Sequence, residues 1–172
     1  MNFSIVQTIR QLLAPRHELS CSWWLWRRLW RALQGRGQGR RESGAFLLGY
    51  EDGNGRRRIV DFVLYDALDP NCLDTGIIRF DGRFFGQLWE ICRQRNLSVV
   101  ADVHTHPGGS AQSPSDRAHP MIARAGHLAL IVPHYATGKP NRVGLGMYRY
   151  CGAGRWESVS ARSRAPKFFV GV

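Results

Sequence analysis

Residues 103–116, VHTHPGGSAQSPSD, follow directly on an apolar, β-branched run, Leu97 to Val103 (LSVVADV), and that junction constrains the chain more than any other stretch. β-Branched residues favour extended backbone, and in a strand side chains two apart share a face, so His104 and His106 point the same way. A Gly-rich turn follows, and beyond it lie Ser113 and Asp116, placed so that the aspartate can return across the turn. Two neutral imidazoles and one carboxylate give a zinc ion three protein ligands and leave its fourth position to water, as in catalytic rather than structural sites. His104, His106 and Asp116 are therefore candidate ligands of Zn2+, and the chain reads as a hydrolase.

Length and charge narrow the setting. A chain of 172 residues with 44% hydrophobic and 22% charged residues can bury one substantial core. The net charge of +11 comes almost wholly from arginine, Lys139 and Lys167 being the only lysines, and it favours an acidic partner: nucleic acid, an anionic membrane face or an acidic protein surface. Cys21, Cys72, Cys92 and Cys151 form no C-x-x-C pair, which argues against a zinc ribbon or a redox motif and for reduced, partly buried thiols. Arg10, Arg16, Arg27 and Arg28 interrupt the first apolar runs, so neither a secretory signal nor a membrane span is expected, and the compartment reads as cytoplasmic.

Composition changes near residue 35. Phe3 to Leu13 and Ser22 to Leu33 have helical character, whereas residues 34–41, QGRGQGRR, read as a flexible basic linker. The expected organisation is a Trp- and Arg-rich helical appendage over 1–35, a linker over 36–41 and a catalytic domain over 42–172. Within that domain Ala45–Tyr50 and Arg58–Tyr65 should be strands paired antiparallel across the turn EDGNG at 51–55. A loop at 66–74 and a short strand over Gly76–Phe80 come next, then a helix over Arg83–Arg95 with Phe84, Leu88, Ile91 and Cys92 on one face, leading into the histidine strand. A helix opening at Ser113 is limited by Pro120, and His127–Pro133, Val143–Tyr150 and Trp156–Val159 supply further strands. The class is α+β or α/β, a mixed sheet with a helix packed on it.

The motif H-x-H-P at 104–107 followed by S-x-x-D at 113–116, with Glu42 upstream in ESGAFLLG, resembles the JAMM (MPN-plus, Mov-type) metalloproteases over roughly Arg41 to Tyr150. The resemblance implies an α+β fold of the cytidine-deaminase-like JAMM/MPN type, with a mixed central sheet and packed helices. It also implies roles: zinc on His104, His106 and Asp116, Glu42 as general base, and Ser113 as donor to the oxyanion of the tetrahedral intermediate. The family often has about six residues between proline and serine, and here there are five, Gly108 to Gln112. The segment DRAHPMIARAGHLALIVP resembles compact bacterial members found with ubiquitin-like conjugation enzymes in antiviral operons. That implies a peptidase or isopeptidase cutting after the tail of a ubiquitin-like protein, in precursors or conjugates, with activating and conjugating enzymes as associates.

Plainer readings stand beside these. Ser113-Pro114-Ser115-Asp116 is also a good helix N-terminus, with Ser113 as N-cap and Asp116 closing a capping box. His119 reads as a histidine that backs the metal ligands or lies on the surface, and His127 and His134 as structural ones, not a second metal site. The helix at 21–34 carries Trp23, Trp24, Trp26, Leu29, Trp30 and Leu33 over a broad apolar arc. It is expected to bury them against its own domain or a second copy, a homodimer, in preference to a membrane or another partner. The alternatives from other classes are a small-substrate or sulfur-carrier-adduct hydrolase and a nucleic-acid-associated member of the same fold. The last rests on net charge alone, so no specific nucleic acid is expected.

Overall fold

The computed structural model describes residues 17–140, 144–159 and 167–171. Strand β2 (Gly44–Glu51) is buried from Gly44 to Gly49 because both its faces are covered, and β3 (Arg57–Leu64) pairs with it antiparallel across the expected turn. Asp52 closes that turn, its carboxylate accepting from the amides of Asn54 and Arg56. Strand β4 (Ser98–Thr105), which carries His104, lies antiparallel on the other side of β2 and parallel to β5 (Leu128–Val132). β6 (Gly146–Tyr150) and β7 (Trp156–Ser158) extend this side, while β1 (Leu19–Ser22) and β8 (Phe168–Gly171) extend the other. The resulting eight-stranded mixed sheet has the order β7-β6-β5-β4-β2-β3-β1-β8, an α+β architecture as expected.

The sheet curls, so that its two ends meet. Glu18, just before β1, pairs with Arg149 of β6 and with Lys167, and Arg149 also holds Glu157 of β7 at 2.8 Å. Burial pushes the Glu18 carboxyl up, but the two cations more than reverse this and hold it below its ordinary value. Inside the curl lies helix α1 (Trp23–Gly37), capped by the Ser22 hydroxyl and ended by Gln38 in the left-handed conformation. Leu25, Trp26, Leu29, Trp30 and Leu33 of α1 join Ala45, Leu47, Ala101, Val103, Leu130 and Phe168 in one core. The opposite face of β2 and β4 packs Phe46, Leu48 and Tyr65 against Phe80, Phe85, Leu88 and Cys92, from α2 (Tyr65–Leu68), the loop after it and α3 (Phe85–Arg95).

This placement corrects the expected organisation. Five buried side chains at about 2 kcal/mol each make α1 worth on the order of 10 kcal/mol, comparable to the whole net stability of a domain. The helix also runs on to Gly37 through the segment read as a linker, so among the described residues there is no appendage before a boundary near 35. The first expected helix, Phe3–Leu13, lies outside the described residues. Gly76–Phe80 is not a strand: the Ile78 amide is taken by the Glu42 carboxylate and Arg79 donates to Cys72, so the segment has no ladder to join. No helix of the described residues is long and apolar enough to cross a membrane. All four cysteines are free, and burial pushes the Cys21 and Cys72 thiols up to about 12, which keeps them protonated.

Candidate metal centre

His104 near the end of β4 and His106, one residue beyond it, lie on the face that also carries Asp102, as the period of two requires. Their backbone is fixed from both sides. Thr105 donates to Ser43 and the Ser43 amide donates back to the Thr105 hydroxyl at 2.9 Å, so the start of β2 is locked to the end of β4. Gly44 is required at this junction, because a Cβ there would lie 2.3 Å from the Tyr65 ring and 2.8 Å from the Val103 carbonyl.

Beyond His106 the chain turns through Pro107 to Gln112 and enters α4 (Pro114–Ala118). The Ser110 carbonyl accepts from the Tyr148 hydroxyl at 3.0 Å, and it lies where a Cβ on Gly146 would approach to 2.1 Å. Gln112 is buried while Gly108, Gly109 and Ala111 are exposed, so the five-residue connection is clasped to β6 at Ser110. Three successive residues with positive φ, His134, Tyr135 and Ala136, face the same turn, and the first two donate backbone hydrogen bonds to Gly108 and His106. Left-handed backbone costs roughly 1–2 kcal/mol per non-glycine residue, so this turn is strained and is held by its bonds to the site.

The side chains converge. His104 Nε2 and His106 Nε2 lie 3.0 Å apart, and Asp116 sets Oδ1 at 3.4 Å from the first and Oδ2 at 3.1 Å from the second. Donors bound at about 2.0–2.1 Å to one tetrahedral ion stand about 3.3–3.4 Å apart, close to this triangle. The three residues form a metal-binding group, their ligand atoms all within 4.8 Å of one another. Burial pushes the Asp116 carboxyl up, but bonds from His104, His106 and the Ser113 amide overcome it and hold the group far below the usual carboxylate range. Burial pulls the His104 imidazolium down, and Asp116 with help from Asp102 and Glu42 raises it above its ordinary value.

Ser113 and Asp116 form the complete capping box: the Ser113 hydroxyl accepts from the Asp116 amide at 3.1 Å and the Ser113 amide donates to Asp116 Oδ2 at 2.7 Å. The cap and a chemical role are compatible, because the hydroxyl uses a lone pair in the cap and keeps its proton to donate. Glu42 stands outside the three-residue group, half-buried, with its amide on the Gly76 carbonyl and its carboxylate on the Ile78 amide at 3.2 Å. Gly44 pairs with His104, so two residues further along the antiparallel register Glu42 falls opposite His106.

Two polar residues near the centre, Asp102 and Tyr65, escaped the sequence reading. Asp102, 2% exposed, receives the Tyr65 hydroxyl at 3.2 Å and lies 2.6 Å from His127 Nε2. The signal was a carboxylate inside an apolar strand, two residues before a histidine, which demands buried partners. His127 is thus a structural histidine, His119 is an exposed residue at the end of α4, and His134 is exposed in the strained turn. A groove of about 600 Å³ bordered by Arg57, Trp89, Arg124 and His127 takes in none of the three converging residues.

Comparison with known proteins agrees with this geometry. A stretch of 66 residues is 30% identical to the Probable metalloprotease y4jG of Sinorhizobium fredii (strain NBRC 101917 / NGR234), covering 38% of this chain and 41% of that protein, so the chain spans less than half of that relative's length. The fold is similar to the solution structure of protein DSY2949 from Desulfitobacterium hafniense, with a TM-score of 0.62 and 15% identity over 88% of this chain and 92% of that one. It is also similar to a protein from Salinibacter ruber (strain DSM 13855), with a TM-score of 0.54 and 15% identity over 81% and 87% of the two chains. Residues 26–143, which include α1 from its fourth residue as well as both histidines and Asp116, match the prokaryotic homologs of the JAB domain, and the chain belongs to that family.

Proposed function

We propose that the chain is a zinc-dependent peptidase or isopeptidase that cuts after the C-terminal tail of a bacterial ubiquitin-like protein, in a precursor or a conjugate. The observation that carries the hydrolase half is the meeting of His104, His106 and Asp116 beside a serine whose hydroxyl proton is uncommitted. Family membership and the name of the partly matching relative support it. The substrate half rests on the resemblance of residues 116–133 to compact bacterial members associated with ubiquitin-like conjugation, which also suggests activating and conjugating enzymes as neighbours in a defence system. Free, mostly buried thiols support a reducing, cytoplasmic setting.

His104, His106 and Asp116 would hold the ion. When bound, zinc would supply Lewis acidity and lower the pKa of water to about 7. Glu42 takes a proton from the attacking water on one carboxylate oxygen and returns it to the departing amine, while the Ile78 amide keeps the carboxylate oriented through Oε2. The Ser113 hydroxyl donates to the oxyanion as the carbonyl becomes tetrahedral, and the capping box fixes its aim. The clasp of Gly146 and Tyr148 on Ser110 holds that loop against the sheet.

The test is cleavage of ubiquitin-like C-terminal fusions by wild type and Glu42→Ala with metal content measured for both. The proposal expects about one zinc in each protein and a loss of roughly two or more decades of rate in the variant. Zinc without cleavage of any fusion overturns the substrate half and favours the small-substrate alternative.

A further inference from the structure

Between the outer face of α1 and the segment 137–140 runs a groove of about 430 Å³ bordered by Arg27, Arg31, Gln34 and Lys139. We propose that it binds an acidic, extended stretch of polypeptide, the groove acting as a docking site beside the metal centre. The proposal goes beyond the bond cut: it names the chemistry of the region that approaches α1.

The first support is positive charge without carboxylate partners, Arg27 lying over the face of the Trp23 ring, 5.8 Å away. Arg28 pairs with Asp61 and Arg36 with Asp66, whereas among the described residues no carboxylate pairs with Arg27, Arg31 or Lys139. Three cations facing one groove repel each other unless an anion enters, and in a half-enclosed cleft that attraction is less screened than on open surface. The second support is spacing. Arg27 and Arg31 are four residues apart on one helix, a rise of about 6 Å, close to the roughly 6.6–6.8 Å between alternate side chains of an extended chain. Carboxylates at every second residue would meet both guanidiniums in turn, and arginine presents the planar fork that suits a carboxylate.

Position is the third. The floor at 137–140 continues directly from the left-handed turn whose Tyr135 amide donates to the His106 carbonyl at 2.8 Å. Its other wall, α1, is joined to the Ser43 hydroxyl through the Leu33 carbonyl at 2.9 Å, and Ser43 adjoins Glu42. Each wall of the groove is thus linked through hydrogen-bonded backbone to a segment that carries reacting groups. Trp30 argues against nucleic acid as the occupant. Its ring is buried and its N–H is committed to the Gly138 carbonyl at 2.9 Å, so the groove offers no open face for a base to stack on. Choosing polypeptide among polyanions rests on the peptidase reading, but the binding itself does not.

The experiment is fluorescence anisotropy with three labelled probes, a twelve-residue alternating Glu-Gly peptide, its Gln-Gly counterpart and dT12, titrated with wild type, Arg27→Glu/Arg31→Glu and Lys139→Glu. Thermal unfolding checks each variant. The result expected is salt-sensitive binding of the Glu-Gly peptide, no binding of the Gln-Gly peptide, weaker binding of dT12, a loss of tenfold or more in the double variant and of several-fold in Lys139→Glu. Lys139 lies outside the helix and gives a reading even where the double variant fails to fold. Unchanged binding in both variants, no binding by wild type, or tighter binding of dT12 through the same residues would overturn the proposal. Binding is read without reference to cleavage, so an inactive protein that binds the peptide sinks the peptidase reading and leaves the groove, while an active one that does not bind does the reverse.

Discussion

His127 and the pair His104 and His106 lie on neighbouring strands or their ends, yet they are held in opposite ways. His127 is 6% exposed and sits 2.6 Å from Asp102, whose other oxygen takes the Tyr65 hydroxyl, so the cluster is complete from protein atoms alone. His104 and His106 bring two ring nitrogens to 3.0 Å of each other with one carboxylate across both, so three ligand groups converge on a point that one cation can occupy. The same residue types therefore build a structural pin in one place and a metal centre in the other. What separates them is whether the donor set closes on itself.

The substitution with the largest effect should leave both clusters standing. Glu42→Gln keeps an oxygen for the Ile78 amide but cannot take a proton, and kcat is expected to fall by roughly two to four decades with zinc content unchanged. Retained activity would move the base elsewhere. Ser113→Ala removes the oxyanion donor and the cap together. A kcat loss of about two to three decades and a stability loss of about 1 kcal/mol should separate in kinetic and denaturation measurements, and a stability loss alone would leave Ser113 only its cap.

On the structural side of the comparison, Asp102→Ala strands the buried Tyr65 hydroxyl and His127 Nε2 without their shared acceptor. Chemical denaturation should show a loss of about 3 kcal/mol while zinc stoichiometry stays the same; if zinc is lost from a folded variant, the two clusters are one. The smallest expected effect is His134→Gly, which places the residue without a Cβ penalty at φ 54° and should raise stability by less than about 1 kcal/mol in thermal unfolding.

The sequence reading reached the site and the centre of the sheet because both are written locally. An apolar run, a turn signal and a second segment of strand character define β2 and β3, the period of two sets His104 and His106 on one face, and S-x-x-D is legible as a cap whatever else it does. What it missed is non-local. β1 and β8 are four-residue strands whose identity comes from pairing in parallel with partners far along the chain, and no short window holds that information. Gly76–Phe80 has strand composition, but the Glu42 carboxylate occupies its amide. The basic run at 34–41 looked like a linker because α1 ends on glycines, and only the packing of Trp26, Leu29 and Leu33 under the sheet makes the helix part of the domain. The left-handed residues at 134–136 carry no glycine to announce them.

Zinc titration of dialysed protein, comparing wild type with His106→Ala and His127→Gln by calorimetry, tests the central claim most directly. The account predicts one zinc bound by wild type, none by His106→Ala and one by His127→Gln, whose amide can still donate to Asp102. Zinc bound equally by wild type and His106→Ala, or by neither, would contradict it.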